Sequence, residues 1–278
     1  MRLKVIIKSG SVLLGAASLS SLSMGMALSA STPYLSPARL VAAAIGVNYP
    51  INAIGETYGS AAGFTVAQEP DLIAAIGTAN DGSLVSGYVR SSQLDAATGY
   101  NVNSPLAAIA WMSQTRTDTI PLYAQDGATV LGTFAIVPGQ NPNTSTAELD
   151  TNTSSGSCGD VSYYGPVKGW NYNNQSCIVF STGSAGSYGD ISVNTDEHDN
   201  APSGYMGILA RVFADDGDLC EESSWYYNDG SAAGIEDAVY RPAAVCGAGY
   251  YYSSGLSRAY NGDGYYTYSS SDSPNKLL

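Results

Sequence analysis

Between residues 203 and 275 the chain alternates short runs of tyrosine and aliphatic residues with Asp-Gly and Asn-Gly turn signals, and each half of that stretch carries a cysteine. The turns Asp215-Asp-Gly-Asp218, Asn228-Asp-Gly230 and Asn261-Gly262 lie too close together for long helices. Aromatic and β-branched residues between such turns predict antiparallel strands. The cysteines narrow this further. All four, Cys158, Cys177, Cys220 and Cys246, lie in the second half, and an even count in an exported chain reads as two disulfides. Three connectivities are open; nearest-neighbour pairing, Cys158 with Cys177 and Cys220 with Cys246, is the least demanding. Each closed loop would contribute on the order of 3 kcal/mol by the loop-entropy argument. A zinc site is disfavoured, because no Cys-x-x-Cys pair occurs and His198 is the single histidine.

Residues 158–278 hold 15 of the 21 tyrosines and are expected to form a disulfide-stapled β-sandwich, with 206–213 and 219–227 as a hairpin within it. Ahead of them, 45–138 is expected to be a small, mostly β module with one short helix. There, 71–76 and 86–90 flank the turn signal Asn80-Asp-Gly82, which predicts a hairpin. Ser104 at a cap and Pro105 at the first helical position open a helix over 106–114. A second hairpin joins 120–123 to 129–137 across Gln125-Asp-Gly127. Residues 139–157 are dense in Asn, Thr, Ser and Gly, the composition of a flexible linker between modules that each fold alone. The predicted class is all-β: two small β modules joined by a linker.

Arg2, Lys4 and Lys8 precede an uncharged run rich in Leu, Ala, Ser, Gly and Met. A basic start, an apolar middle and small residues at the end predict a secretory signal peptide over 1–29, cut after Ala27 or Ser29 and followed by an arm over 30–44. An uncleaved anchor is the alternative, but the many Ser, Ala and Gly residues make the run weakly hydrophobic. The expected location is extracellular, with membrane contact only through the signal before cleavage. Its removal takes three cations and no acid, moving the formal charge from −13 to −16. A surface so acidic repels nucleic acid and anionic lipid.

The succession Gly55-Glu-Thr-Tyr-Gly59, Glu69-Pro-Asp-Leu-Ile73, Gly87-Tyr-Val-Arg90 and Leu94, Ile120-Pro-Leu-Tyr123 and Asp126-Gly-x-Thr-Val-x-Gly132 resembles a small module of secreted or surface proteins of Gram-positive bacteria. Some larger proteins append that module to membrane metallopeptidases, but their His-Glu-x-x-His signature is missing here, so the resemblance implies no peptidase. Further on, Gly204-Tyr-Met-Gly207, Ala210-Arg211, Leu219-Cys220, Trp225-x-Tyr227-Asn228 and Cys246-Gly247-x-Gly249-x-Tyr251-Tyr252-Ser253 stand in order. Arg258-Ala-Tyr-Asn-Gly262, Gly264-Tyr265 and Ser273-Pro-Asn275 continue the series. That order resembles a group of small β-rich secreted proteins of actinobacteria. It implies fold and export and supplies no reaction.

The inventory for catalysis is thin. A Ser-His-Asp triad would have to use His198, which sits in the polar run Asn194-Thr-Asp-Glu-His-Asp-Asn200, and no Gly-x-Ser-x-Gly elbow occurs. The acids Asp196, Glu197, Asp199, Asp215, Asp216, Asp218, Glu221 and Glu222 invite a calcium reading, but the EF-hand spacing is absent and 215–218 reads better as a turn. No metal and no cofactor is expected. A carboxylate pair acting as a secreted carbohydrate hydrolase is the runner-up to a binding protein, with a secreted antibacterial or inhibitory role as a third reading. The binding reading rests on aromatic residues: Tyr251, Tyr252, Tyr260, Tyr265, Tyr266, Tyr268 and Trp225, with Trp170 as a further platform, facing a glycan or protein ligand. Strand alternation requires the neighbours Tyr251-Tyr252 and Tyr265-Tyr266 to point to opposite faces.

Overall fold

The computed structural model describes residues 47–114, 117–139, 155–181, 184–193, 200–242 and 246–277. The expected signal, the arm, most of the expected linker and His198 lie outside them. In the first half, β1 (Tyr58–Gly59) runs parallel to β2 (Leu72–Ala79). The Asn80-Asp-Gly82 turn folds β2 back onto β3 (Leu84–Arg90), antiparallel from Leu72↔Arg90 to Thr78↔Leu84. Gly82 has φ of 84°, a left-handed conformation that side chains disfavour, so glycine permits the tight turn. Helix α1 (Ser91–Thr98) follows and is a correction, because one helix was expected here and two are present. Only Leu94 and Thr98 of α1 are buried, which leaves almost no helical apolar stripe to read. Helix α2 (Pro105–Met112) is the expected one: the Ala107 N–H donates to Ser104 Oγ at 3.4 Å and Pro105 takes the first turn. The second expected hairpin pairs β4 (Asp118–Tyr123) with β5 (Val130–Val137).

The second half builds a sandwich. Strands β6 (Ser155–Cys158), β7 (Ser162–Val167), β8 (Trp170–Ser181), β9 (Ser184–Val193) and β14 (Gly234–Pro242) form an antiparallel sheet in which β6 and β7 both pair with the long β8. A four-stranded sheet faces it, ordered β13 (Tyr226–Tyr227), β10 (Met206–Leu209), β16 (Leu256–Tyr260), β17 (Tyr265–Ser269). Val167 and Tyr172 of the first sheet pack against Met206, Ile208 and Ala259 of the second. Both disulfides have the nearest-neighbour pairing, Cys158–Cys177 and Cys220–Cys246, and Cys158 lies directly opposite Cys177 on β6 and β8.

The expected 206–227 hairpin exists but is shared between two sheets. Its inner part, β11 (Arg211–Ala214) with β12 (Leu219–Ser223), leaves the sandwich and enters a nine-stranded sheet. That sheet runs β1-β2-β3-β4-β5-β12-β11, then β15 (Tyr250–Ser253) and β18 (Lys276–Leu277). At the corner Ser223 bonds Ala210 twice: its N–H donates to the Ala210 carbonyl at 3.0 Å, and its Oγ accepts the Ala210 N–H at 2.9 Å.

The nine-stranded sheet corrects the expected pair of separately packed modules. β5 and β12 pair in parallel through Glu222↔Ile136 and Ser223↔Val137. Phe213 and Leu219 of the second half share a core with Ile73, Val89, Leu122, Phe134 and Ile136 of the first. The physical reason is the edge of β5, whose backbone donors and acceptors need partners, and β12 supplies them. A polar linker in the sequence says nothing about such pairing.

Two buried arginines stitch the same seam. Arg211, 1% exposed, donates from Nη1 to Glu69 Oε1 at 2.7 Å, from Nε to the Ser254 carbonyl at 2.9 Å and from Nη2 to the Phe64 carbonyl at 3.2 Å. Arg258, also 1% exposed, donates to the carbonyls of Tyr100 at 2.9 Å and Gly99 at 3.2 Å. Its guanidinium lies 4.0 Å from the Trp225 ring centre, 4.8 Å from that of Tyr265 and 4.9 Å from that of Tyr227. The two halves should therefore melt together. Circular dichroism and tryptophan fluorescence are expected to report one transition, and Arg211→Ala to lower it by about 3–5 kcal/mol because Glu69 is left buried without its cation. Two separated transitions in the parent chain would show that the halves fold independently.

Candidate functional site

Strand alternation and a bulge build a tyrosine-walled groove at one edge of the sandwich. β7 and β17 each carry a sheet edge, and three contacts tie β7 to β16, to β17 and to the segment that follows β17. Tyr164 stacks on Tyr268 with ring centres 3.8 Å apart, the Tyr164 and Ser257 hydroxyls meet at 2.9 Å, and those of Ser162 and Ser271 at 3.1 Å. Tyr172, directly across the ladder from Tyr164, also stacks on it at 5.7 Å. The ladder between β7 and β8 shifts register after Tyr164. There Gly165 has φ of 119°, and a Cβ on it would lie 2.9 Å from the Trp170 carbonyl oxygen, so only glycine fits. Tyr163, Tyr164, Gly165, Asn171 and Tyr172 line the resulting cavity of about 230 Å³.

The lining residues differ in what they offer. Alternation along β7 turns Tyr164 inward and leaves Tyr163 68% exposed. Tyr172 is fully buried, and its hydroxyl has no hydrogen-bond partner among the described residues. Burial, followed by the neighbouring Tyr205, pushes the Tyr172 phenol up to about 12. It is thus a neutral group able both to donate and to accept. Asn171 adds an exposed amide, and among the described residues no charged side chain lines the cavity.

The aromatic residues singled out in the sequence do not assemble into one surface. Tyr251 is core, packed with Ile178 and Val212, and its hydroxyl donates to the Gly247 carbonyl. Trp225 is core and covers Arg258. Tyr252 stacks on Phe213 at 5.7 Å. Tyr265 donates to the Gly204 carbonyl at 2.6 Å and lies over Arg258, Tyr260 donates to the Gly262 carbonyl at 2.9 Å, and Tyr268 closes on Tyr164. Tyr266 alone of the set is well exposed, at 55%. Trp170, the other platform candidate, is half-buried, edge-on to Tyr205 at 5.6 Å. The sequence reading passed over Tyr163, Tyr164, Asn171 and Tyr172, because Gly, Asn and Ser interrupt every apolar run there. Tyrosines flanking the Lys168-Gly169 turn were the available signal.

The acids serve the fold. Asp196, Glu197 and Asp199 lie outside the described residues, and the Asp216 carboxylate accepts the Asp218 N–H at 3.2 Å within the β11–β12 turn. Among the described residues no group of three or more His, Cys, Asp or Glu side chains could hold a metal ion. Glu221 and Glu222 are both 4% exposed. Burial raises the Glu69 carboxyl against the lowering pull of Arg211, and burial holds Glu222 well above its ordinary range. Asp95 is pushed up to about 7, by burial first and then by Glu69, with Arg258 opposing. An acid raised in the folded state binds more protons folded than unfolded, so its contribution is present at low pH and is lost as pH rises through the folded value. Stability should therefore fall between about pH 4 and pH 7. Asp95→Asn should flatten that fall by at most about 1.4 kcal/mol per pH unit, and an unchanged slope in urea melts across this range would remove Asp95 as its source.

Comparison with protein-family models, with curated proteins and with solved structures finds no match.

Proposed function

We propose that this is an exported, non-catalytic binding protein that contacts an extracellular ligand through the tyrosine-walled groove beside β7. The observation that carries the reading is the lining itself: an exposed and a half-buried tyrosine, one exposed amide and, among the described residues, no charge. Such a mixture suits contact by apolar area and neutral hydrogen bonds. Among the described residues no carboxylate lines the groove, so they lend the hydrolase alternative no support at this position. Export is supported by the basic and apolar leader in the sequence and by two disulfides compatible with an oxidising compartment. The acidic balance argues against nucleic acid as the partner.

Tyr163→Ser tests the reading, since an exposed side chain away from the core changes stability by about 0.5 kcal/mol or less. Retention of the secreted protein on cell-wall material is expected to drop about tenfold, the effect of losing one aromatic contact. Tyr250→Ser, at another exposed tyrosine on β15, should retain as the parent does. Equal retention of the Tyr163 variant and the parent would remove the groove as the contact site.

A further inference from the structure

We propose that the turn joining β16 to β17 modifies itself: Asn261 closes onto the nitrogen of Gly262 as a succinimide and reopens as aspartate or isoaspartate, releasing ammonia. The inference is independent of what the groove binds. Asn261-Gly262 is the chain's one Asn-Gly step. It lies in the turn beyond the last ladder pair, Tyr260↔Tyr265. Gly262 is exposed, with φ of 104°, a conformation that other residues disfavour. Having no Cβ, it leaves its own nitrogen uncrowded. Asn228 makes the contrast. It stands in the similar run Asn228-Asp-Gly230, but it is buried and its Nδ2 donates to the carbonyls of Ala201, Pro202 and Gly230.

The folded turn supplies what ring closure needs. Among the described residues nothing accepts the Gly262 N–H, whereas its neighbours both donate: Asn261 to the Gly264 carbonyl at 2.9 Å, and Asp263 to Asn261 Oδ1 at 2.7 Å. That second bond falls on the reacting carbonyl. Attack at Cγ moves negative charge onto Oδ1, and a donor already placed there stabilises it. A cation stands beside the nucleophile. The Lys168 side chain crosses Gly262, with Nζ 3.0 Å from where a Cβ on that glycine would lie, and its charge favours the anion left when base takes the Gly262 proton. The bond to Oδ1 alone is an ordinary Asx turn; the free nitrogen, the missing Cβ and the cation at the same carbonyl go beyond it. The Gly262 nitrogen then bonds Cγ, the Cγ–Nδ2 bond breaks, and Nδ2 leaves as ammonia with a proton from solvent. Water opens the ring at either carbonyl, and no oxidant or reductant is needed. Opening at Cγ gives aspartate and restores the backbone. Opening at the main-chain carbonyl gives isoaspartate and lengthens the turn by one backbone atom.

The test follows Asn261 by peptide mass mapping of the full secreted chain held at mildly alkaline pH, folded in buffer and unfolded in urea. Conversion exchanges an amide for a carboxylate, which mass and charge both report, and isoaspartate methyltransferase labels the isomer. The folded chain is expected to convert Asn261 at least as fast as the unfolded chain does, and to leave Asn228 intact. Lys168→Gln should slow the folded reaction about fivefold, the effect of one exposed charge at close range, without changing the rate in urea. Added salt should slow the folded parent in the same direction, a second reading that does not depend on how the variant folds. Asn261→Asp should melt as the parent does, because its carboxylate still accepts the Asp263 N–H. A folded chain that keeps Asn261 intact, or converts it more slowly than the unfolded chain, overturns the proposal. A folded rate unmoved by both Lys168→Gln and salt overturns assistance by the turn and leaves only the reactivity of the Asn-Gly step itself.

Discussion

Two guanidiniums buried away from water set the terms for the rest of this fold. A buried charge is tolerated only when its donors are occupied and its field is answered. Arg211 meets this with Glu69 and two carbonyls; Arg258 meets it in part, with two carbonyls and four surrounding aromatic rings, while its Nε has no partner among the described residues. Each arginine draws some of these partners from the other half of the chain, at separations of 142 residues for Glu69 and 158 for Tyr100. Neither arginine could keep these partners if the halves parted. The ion pair is therefore less a source of net stability than a condition on arrangement, since an apolar replacement of both partners often does as well.

That condition explains why the hairpin of residues 206–227 changes sheets. Arg211 follows directly after the corner at Ala210, and Arg258 lies on β16, paired opposite Gly207 of β10. With β10 held in the sandwich and β11 in the nine-stranded sheet, one hairpin presents both seams at once. Gly207 fits this arrangement for a local reason. A Cβ there would lie 2.8 Å from the Tyr227 ring and 3.1 Å from Arg258 Cγ, so a side chain would press on the aromatic wall that surrounds the guanidinium.

Much of this was legible in the chain. The turn signals at Asn80-Asp-Gly82 and Gln125-Asp-Gly127, the Ser104-Pro105 helix start and the pairing of the cysteines all depend on neighbours a few residues away or on a count. What was not legible depends on distant partners. Nothing local to β5 announces that β12 will extend its sheet, and Arg211 and Glu69 look like ordinary surface charges until they are seen to be buried together. The site suffered from the same limit. The dense tyrosines of 251–268 suggest a surface because no single strand face could bury them all. Three different surroundings absorb half of the six: the core under Cys220 takes Tyr251, the wall around Arg258 takes Tyr265 and the stack on Tyr164 takes Tyr268.

Tyrosine serves two purposes here, and its hydroxyl separates them. Where a tyrosine is part of the fold, its oxygen usually has a fixed partner: the Gly247 carbonyl for Tyr251, that of Gly204 for Tyr265, that of Gly262 for Tyr260. Tyr227 lacks one, but its ring faces the Arg258 cation and so has a structural use. Tyr172 stacks on Tyr164 and needs no hydroxyl for that; phenylalanine would fill the same space without an unpaired polar atom. A buried hydroxyl that the fold does not use costs stability wherever it occurs. At Tyr172 the ring's packing against Tyr164 and within the sandwich core stands against that cost.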